Sequence, residues 1–284
     1  MTRSLTVASL AAEHPEWQPW LAIFGVARAA VDDPAWTSAV PAAPATAAGD
    51  LPLIDRTTFT IDARLASRFL GELLERAGLP RVNESAVPAI FEAAIAEDSG
   101  RLRALAVDAG ADAERFATAA ALAVTPLLQR CREAWQDRVP APYMDAACPI
   151  CGAWATLAEA RGLERRLRLR CGRCGAEWAA QVLRCAFCAT IAHEQLGTLV
   201  GETAGDTRKV DTCAACRGYM KTIATLTPSP PADVRLYDLA TVDLDVAALS
   251  HGYARPPRLA PPLSVHVTPR ASRGRLAGLA RWRR

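Results

Sequence analysis

The chain has 284 residues, of which 51% are hydrophobic and 22% are charged, and its formal net charge is +3. This composition excludes a largely disordered chain, and the length allows one large domain or two modest ones, each with its own core. We find no uncharged apolar run of membrane-spanning length, and residues 1–17 lack the apolar stretch of a signal peptide. We therefore expect a soluble cytoplasmic protein with no membrane span, in which cysteine thiols stay reduced.

The first half of the chain is predicted to be helical. Apolar residues recur at helical spacing over residues 5–31, where a His-Pro pair ends one helix and begins another. Further helices are predicted to open at Asp62, Ser85 and Asp112, and the last of them is bent or broken at its internal proline. Together they predict an α-helical bundle that extends to about residue 143.

The pattern then changes from a helical period to a period of two. Leucines alternate with charged residues over 163–170, after an Arg-Gly pair that favours a turn, so a β-hairpin is predicted at 153–170. Similar short strands are predicted at 176–184 and 219–226. We therefore expect an α+β protein whose C-terminal half is made of small β modules.

Eight of the nine cysteines form four Cys-x-x-Cys pairs: Cys148/Cys151, Cys171/Cys174, Cys185/Cys188 and Cys213/Cys216. Two cysteines at this spacing can bind one ion from a tight turn, and two such pairs can surround a tetrahedral ion, at about 2.3 Å for zinc. Four thiolates do not sit together without a cation, so the metal contributes folding energy to such a module. The sequence therefore predicts two metal ions, each held by four cysteines, and both iron and zinc suit this donor set.

Neighbouring pairs are expected to share an ion, because hairpin closure costs less entropy than the two interlocked arrangements. The first two pairs read CPICG and CGRCG, and the glycine permits a positive φ that lets N–H groups point at sulfur, as in rubredoxin- and zinc-ribbon-like turns. The second set, CAFCA and CAACR, lacks these glycines, so we expect a looser and more exposed site. Four cysteine ligands leave no open position for substrate or activated water, which argues against hydrolytic catalysis.

Three other features have simpler interpretations. Cys131 lies on a predicted helix beside Trp135 and is expected to be a buried core thiol. His193 follows Cys188 by five residues and is expected at the surface rather than at the second site. Residues 252–284 hold eight arginines and no acid, so the rest of the chain is net acidic; only two lysines occur in the whole chain, which indicates a general preference for arginine rather than a selected basic patch.

The residues alone leave two functions open. A zinc-ribbon nucleic-acid-binding protein would use the hairpin arginines at 165, 166, 168 and 170 together with the basic tail. A rubredoxin-like electron carrier would use the cysteine sites but would need no large helical domain. Alternate charged residues on a hairpin usually form a solvated face, which argues against nucleic-acid binding.

Several motifs together resemble the formate dehydrogenase accessory proteins, the FdhE family. They are CPICG, RCGRCGAEWAAQVLRCAFC, CAACRGYMKTI and ADVRLYDLATVDLDVAALSHGY, with LAAEHPEWQPWLAIFGVARA near the N-terminus. Three short motifs are similar to characteristic motifs of this family: Glu177-Trp178, Arg184-Cys185 and Tyr219-x-Lys221. The resemblance covers nearly all of residues 5–253, and the arginine-rich extension has no counterpart in it.

The resemblance implies a cytoplasmic, non-enzymatic maturation factor for respiratory formate dehydrogenase, with the catalytic subunit as partner and no small-molecule substrate. It implies that the eight paired cysteines bind two metal ions, with iron the suggested physiological ion. The implied fold is an α-helical N-terminal domain followed by two small rubredoxin-like β modules. The predicted boundaries are an α-helical domain at 1–143, metal modules at 144–182 and 183–228, a packing segment at 229–253, and a flexible Arg/Pro-rich tail at 254–284.

Overall fold

A computed structural model describes residues 5–44, 51–201, 207–257 and 262–271. Within these ranges the N-terminal part is mainly helical, and the C-terminal part is mainly sheet. The N-terminal helices are α1 (Val7–Glu13), α2 (Gln18–Ala29), α3 (Ala63–Arg76), α4 (Val87–Ala96), α5 (Ser99–Asp108), α6 (Ala113–Ala123) and α7 (Thr125–Trp135). None of the helices in the described residues has the length and apolar character needed to cross a membrane.

The predicted helix starts are confirmed where a side chain caps the helix. The Asp62 carboxylate accepts the backbone N–H groups of the first turn of α3, and Asp112 does the same for α6. The predicted break at Pro126 is also confirmed, because α6 ends at Ala123 and the proline occupies the first turn of α7, where it needs no backbone donor. Helix α5 was not predicted; it follows α4 after only two residues, the second of which is its N-cap, Asp98.

The C-terminal half contains one six-stranded sheet with the spatial order β4-β3-β2-β7-β6-β5. Its strands are β2 (Leu157–Arg161), β3 (Arg166–Arg170), β4 (Glu177–Ala179), β5 (Leu196–Leu199), β6 (Arg208–Cys213) and β7 (Tyr219–Thr225). The predicted hairpin is present, with β2 antiparallel to β3. All neighbouring strands are antiparallel except β2 and β7, which are parallel.

The sheet consists of two three-stranded units joined edge to edge. Each unit follows the same chain order, which is a cysteine pair, two antiparallel strands, a second cysteine pair and a third strand. The first strand of one unit, β2, pairs with the last strand of the other, β7, from Ala158↔Thr222 to Arg161↔Thr225. The predicted β modules are therefore not separate small sheets but halves of one continuous sheet.

Two short helices, α8 (Val234–Leu239) and α9 (Val242–Ser250), follow the sheet and pack on one of its faces. Leu244 and Ala248 contact Val210 and Tyr219, and Val234 contacts the strand residues Leu157 and Ile223. Helix α8 thus lies over the seam between the two units, and α9 lies over the second unit.

The structure differs from the expected flexible tail at residues 266–270. These residues form β8 (His266–Arg270), which pairs in parallel with β1 (Thr58–Asp62). Val267 is only 8% exposed, and its backbone N–H donates to Glu92 on α4. Residues 272–284 of the expected tail lie outside the described residues.

The largest hydrophobic core extends from the helices into the first unit of the sheet. Trp36 lies between Phe69 and Phe91 at ring distances of 5.4 and 6.2 Å, and the same core includes Leu169 and Trp178 of the sheet. The predicted domain boundaries stay predictions, and this core crosses the one at residue 143.

Candidate metal centres

The structure brings the eight paired cysteines into two groups of four. The first cysteine group is Cys148, Cys151, Cys171 and Cys174, and the second cysteine group is Cys185, Cys188, Cys213 and Cys216. This is the sequential pairing that the entropy of hairpin closure favours. In each group the sulfur atoms all lie within 4.8 Å of one another.

The sulfur spacing fits a tetrahedral ion. Two sulfur pairs of the first group are 3.5 Å apart, and two pairs of the second group are 3.7 Å apart. Sulfur atoms placed about 2.3 Å from a central zinc ion form a tetrahedron with edges of about 3.8 Å. A disulfide needs a sulfur–sulfur distance of about 2.05 Å, so these thiols are not crosslinked. Each group can therefore hold one metal ion.

All four cysteine turns share one backbone hydrogen bond. The first cysteine of each turn donates its N–H to the carbonyl five residues later. The four bonds are Cys148 to Ala153 (2.7 Å), Cys171 to Ala176 (3.0 Å), Cys185 to Thr190 (2.9 Å) and Cys213 to Gly218 (3.0 Å). Backbone N–H groups also reach the sulfur atoms, as those of Phe187 and Cys188 do at Cys185. The turns are thus shaped to present two sulfurs toward one point.

The residue after the second cysteine has a positive φ in every turn. In the first group it is a glycine, with φ of 74° at Gly152 and 75° at Gly175. In the second group the same conformation is held by Ala189 at 61° and Arg217 at 57°. A left-handed conformation costs a residue other than glycine about 1 kcal/mol or more, so the second group keeps the same turn at a local energetic cost.

The two groups differ sharply in exposure. All four cysteines of the first group are 0% exposed, whereas in the second group Cys188 is exposed and Cys216 is partly exposed. The prediction of a more exposed second site is confirmed. An ion in the first group would be shielded from water, while an ion in the second would have one side toward solvent.

The first group is held by contacts from three distant segments. The backbone N–H groups of Leu53 and Ile54 donate to the carbonyls of the first cysteine turn at 2.9 and 3.0 Å. Arg173, in the second turn, donates to the Ala94 carbonyl at 2.5 Å, at the C-terminal end of α4. Arg235 donates to the Gly172 carbonyl at 2.8 Å, and burial together with the Arg173 cation lowers the pKa of Arg235 to about 10.

The buried thiols require a cation to become thiolates. Burial raises the pKa of Cys148 and of Cys174 well above the ordinary thiol value. Hydrogen bonds from the neighbouring thiols instead lower the pKa of Cys171. A group that is fully buried with four sulfur donors fits a soft divalent ion, which would replace the missing solvation of the thiolates.

Two ionic networks with buried members lie on the strands of the sheet, and no local sequence pattern predicts them. Glu159, on β2, accepts hydrogen bonds from Arg161 and Arg170 of the same hairpin, each at 2.5 Å. In the second unit, Lys221 donates to Asp245 at 2.6 Å, and the Tyr219 hydroxyl donates to the same carboxylate at 2.6 Å.

The second of these networks explains the Tyr219-x-Lys221 motif. Burial and the adjacent Asp245 carboxylate raise the pKa of Tyr219 to about 12, so the hydroxyl keeps its proton and donates it. The Tyr219-x-Lys221 motif and the segment containing Asp245 are therefore two sides of one contact. The contact depends on the three-dimensional fold, so the positions of these residues in the chain do not predict it.

The remaining candidate residues lie apart from the cysteine groups. Cys131 is 0% exposed in the helical core, as expected, and burial raises the pKa of its thiol. His193 is exposed and belongs to neither group. The hairpin arginines do not form one basic stripe, since Arg170 is buried against Glu159 and Arg166 pairs with Glu164 at 2.7 Å. This division argues against a nucleic-acid interface on the hairpin.

Fold and sites together define the class of protein. It has a helical N-terminal part and a sheet that carries two four-cysteine groups, each able to hold one metal ion. No family model matches the chain. A curated protein from Stutzerimonas stutzeri (strain A1501), named protein FdhE homolog, is 35% identical over 111 residues, which are 38% of this chain and 35% of that protein.

The structural comparison covers far more of the chain. The crystal structure of the FdhE protein from Pseudomonas aeruginosa matches with a TM-score of 0.56 and 22% sequence identity, over 88% of this chain and 90% of the other. The chain therefore has the fold of that FdhE protein. The chain is thus similar to two proteins that carry the FdhE name, in agreement with the resemblance stated from its motifs.

Proposed function

We propose that this protein is a metal-binding accessory factor for formate dehydrogenase. It acts on the unfinished catalytic subunit of that enzyme and does not itself oxidise formate. The observation that carries the proposal is the pair of closed four-cysteine groups on a fold shared with an FdhE protein. A site with four sulfur ligands has no vacant position for formate or water, so it suits a structural or electron-transferring ion rather than a hydrolytic one.

The different surroundings of the two groups support different roles in this function. The first group is buried where α4, α8 and the segment with Leu53 and Ile54 meet, so its ion would stabilise the shared core. The second group lies at the surface, so its ion would be near a bound partner. The eight cysteines are the proposed ligands, four for each ion. The family resemblance favours iron, while zinc fits the same sulfur geometry, and elemental analysis of anaerobically purified protein decides between them.

The proposal is tested with a strain that lacks this gene and that requires formate dehydrogenase. Tagged wild-type protein should restore formate dehydrogenase activity and should retain the catalytic subunit after gentle lysis. The variant Cys188→Ser should lose most of the restored activity, because it removes one of four sulfurs from the exposed group. His193→Ala, a change of an exposed residue five positions after Cys188 in the chain, should behave as the wild type.

The outcomes separate the roles of the ions. A Cys188→Ser variant that folds and retains the subunit, yet leaves the enzyme inactive, would favour electron transfer over a purely structural ion. Failure of the wild-type protein to enrich the catalytic subunit above an untagged control would contradict the accessory function itself.

A further inference from the structure

A groove of about 570 Å³ lies on the sheet face that α8 and α9 leave uncovered. Its floor includes Ala158, Ala160 and Thr222, which alternate along β2 and β7 with the residues packed against the helices. The segment 180–187, which connects the two units of the sheet, forms one wall. The volume falls within the range of about 300–1,000 Å³ that is typical of binding pockets.

The lining of the groove favours an apolar ligand. Leu167, Leu169, Phe187 and Met220 line it, and small side chains form the floor between them. Its charged side chains have partners within the protein: Lys209 pairs with Asp211 at 2.7 Å, Glu164 pairs with Arg166 at 2.7 Å, and Arg184 donates to the Met144 carbonyl at 3.1 Å. A ligand that enters between them would thus gain most from burying apolar surface.

The apolar surface continues out of the groove into solvent. Val182 and Leu183, in the wall segment, are 63% and 59% exposed. Adjacent exposed aliphatic side chains at the rim of an apolar groove are typical of an interaction site. The occupant therefore extends beyond the groove, which favours a polymer over a small molecule.

The edge of the sheet indicates what kind of polymer this is. Among the described residues, β5 is one of the two edge strands of the sheet. Its residues Leu196, Gly197 and Thr198 also line the groove. The outer edge of a strand presents main-chain donors and acceptors that an extended polypeptide can pair with. Strand β5 is only four residues long, but it carries neither a charged residue nor a proline, two of the means by which edges are protected.

We propose that this groove binds an extended, aliphatic segment of the client polypeptide, which pairs along β5 and packs its side chains against Val182 and Leu183. The inference rests on the proposed accessory function and assigns it a docking surface. Cys185 and Cys213 line the same groove, so the bound segment would lie against the second cysteine group. This position would bring the unfinished client to the exposed ion rather than to the buried one.

The test measures the affinity of the full-length, metal-loaded protein for the purified catalytic subunit of formate dehydrogenase, prepared without its cofactors. The double variant Val182→Asp/Leu183→Asp places two carboxylates at the rim, and aspartate tolerates the positive φ of 57° at Leu183. Losing the burial of two aliphatic side chains should weaken binding by about tenfold or more. The control variant Val107→Asp/Leu249→Asp changes matched residues that are 73% and 57% exposed on α5 and α9, and it should keep wild-type affinity.

A second measurement locates the contact directly. A photo-crosslinking amino acid in place of Val182 should capture the catalytic subunit, and the same amino acid in place of Val107 should not. If the wild type binds the subunit and the groove variant binds it equally well, the docking surface is wrong while the accessory function stands. If the wild type does not bind the subunit, the accessory function fails and the inference fails with it. A wild-type dimer that the groove variant dissociates would also overturn the inference, by assigning the surface to a second copy of this chain.

Discussion

At the scale of single residues, the four cysteine turns show how one backbone shape is reached from two kinds of sequence. Gly152 and Gly175 adopt the left-handed conformation freely, and a side chain at Gly175 would meet Pro231 at 2.5 Å. Ala189 and Arg217 adopt it although their side chains oppose it. The absence of glycine from CAFCA and CAACR therefore does not change the turn, but it lowers the stability of the second group.

We predict that Ala189→Gly stabilises the protein. Removing the strain of the left-handed backbone conformation at Ala189 contributes about 1–2 kcal/mol to stability. The greater freedom of glycine in the unfolded chain offsets about 0.4–1 kcal/mol of this. We therefore expect a net gain in stability of about 0.5–1 kcal/mol. Ala186→Gly lies in the same turn at an ordinary φ and should instead destabilise the protein. Denaturant unfolding of the metal-loaded variants measures both, and a loss of stability in both variants would show that Ala189 is not strained.

At the scale of elements, local signals in the sequence were enough for the hairpin and for most of the N-terminal helices, although α5 was not predicted. Asp62 and Asp112 identify helix starts through their own side chains, and the alternation around Leu167 and Leu169 identifies β3. The cysteine spacing likewise predicted which residues meet, because a Cys-x-x-Cys turn is itself a local structure.

Elements that depend on contacts between distant parts of the chain could not be predicted from the sequence. Strand β8 reads HVTPR, with a proline and an arginine that weaken any strand signal, and its partner β1 lies some 200 residues earlier in the chain. The parallel pairing of β2 with β7 has no local signal either, since neither strand contains anything that specifies its neighbour. The same holds for Lys221, whose buried state depends on Asp238 and Asp245 in the helices that follow the sheet.

Strand β8 gives a prediction at this scale. Val267 is buried between β1 and α4, while its neighbour Thr268 is exposed. Val267→Ala removes buried methyl groups and should destabilise the protein by about 2 kcal/mol, whereas Thr268→Ala should change stability by less than about 0.5 kcal/mol. Thermal unfolding compares the two variants. Equal and negligible effects would mean that residues 266–270 belong to a flexible tail after all.

At the scale of the whole molecule, the two cysteine groups occupy opposite situations in one continuous sheet. The first lies within the main hydrophobic core, and it is tied to α4 by Arg173 and to Leu53 and Ile54 by backbone hydrogen bonds. The second is bordered by a groove and by solvent. A chelator can reach an ion in the first group only if the core opens, whereas it can reach an ion in the second group after local motion. Local opening costs much less free energy than global unfolding.

We therefore predict that the two ions leave in a fixed order. Protein loaded with two equivalents of zinc and challenged with excess chelator should release one equivalent rapidly and the other only as slowly as the protein unfolds. Cys188→Ser should abolish the fast phase and leave the slow one, because Cys188 is the exposed ligand of the second group. Circular dichroism recorded alongside should stay constant through the fast phase and change with the slow one, since the first group lies within the shared core. Release of both equivalents in a single phase, or a fast phase that survives Cys188→Ser, would show that burial does not separate the two sites.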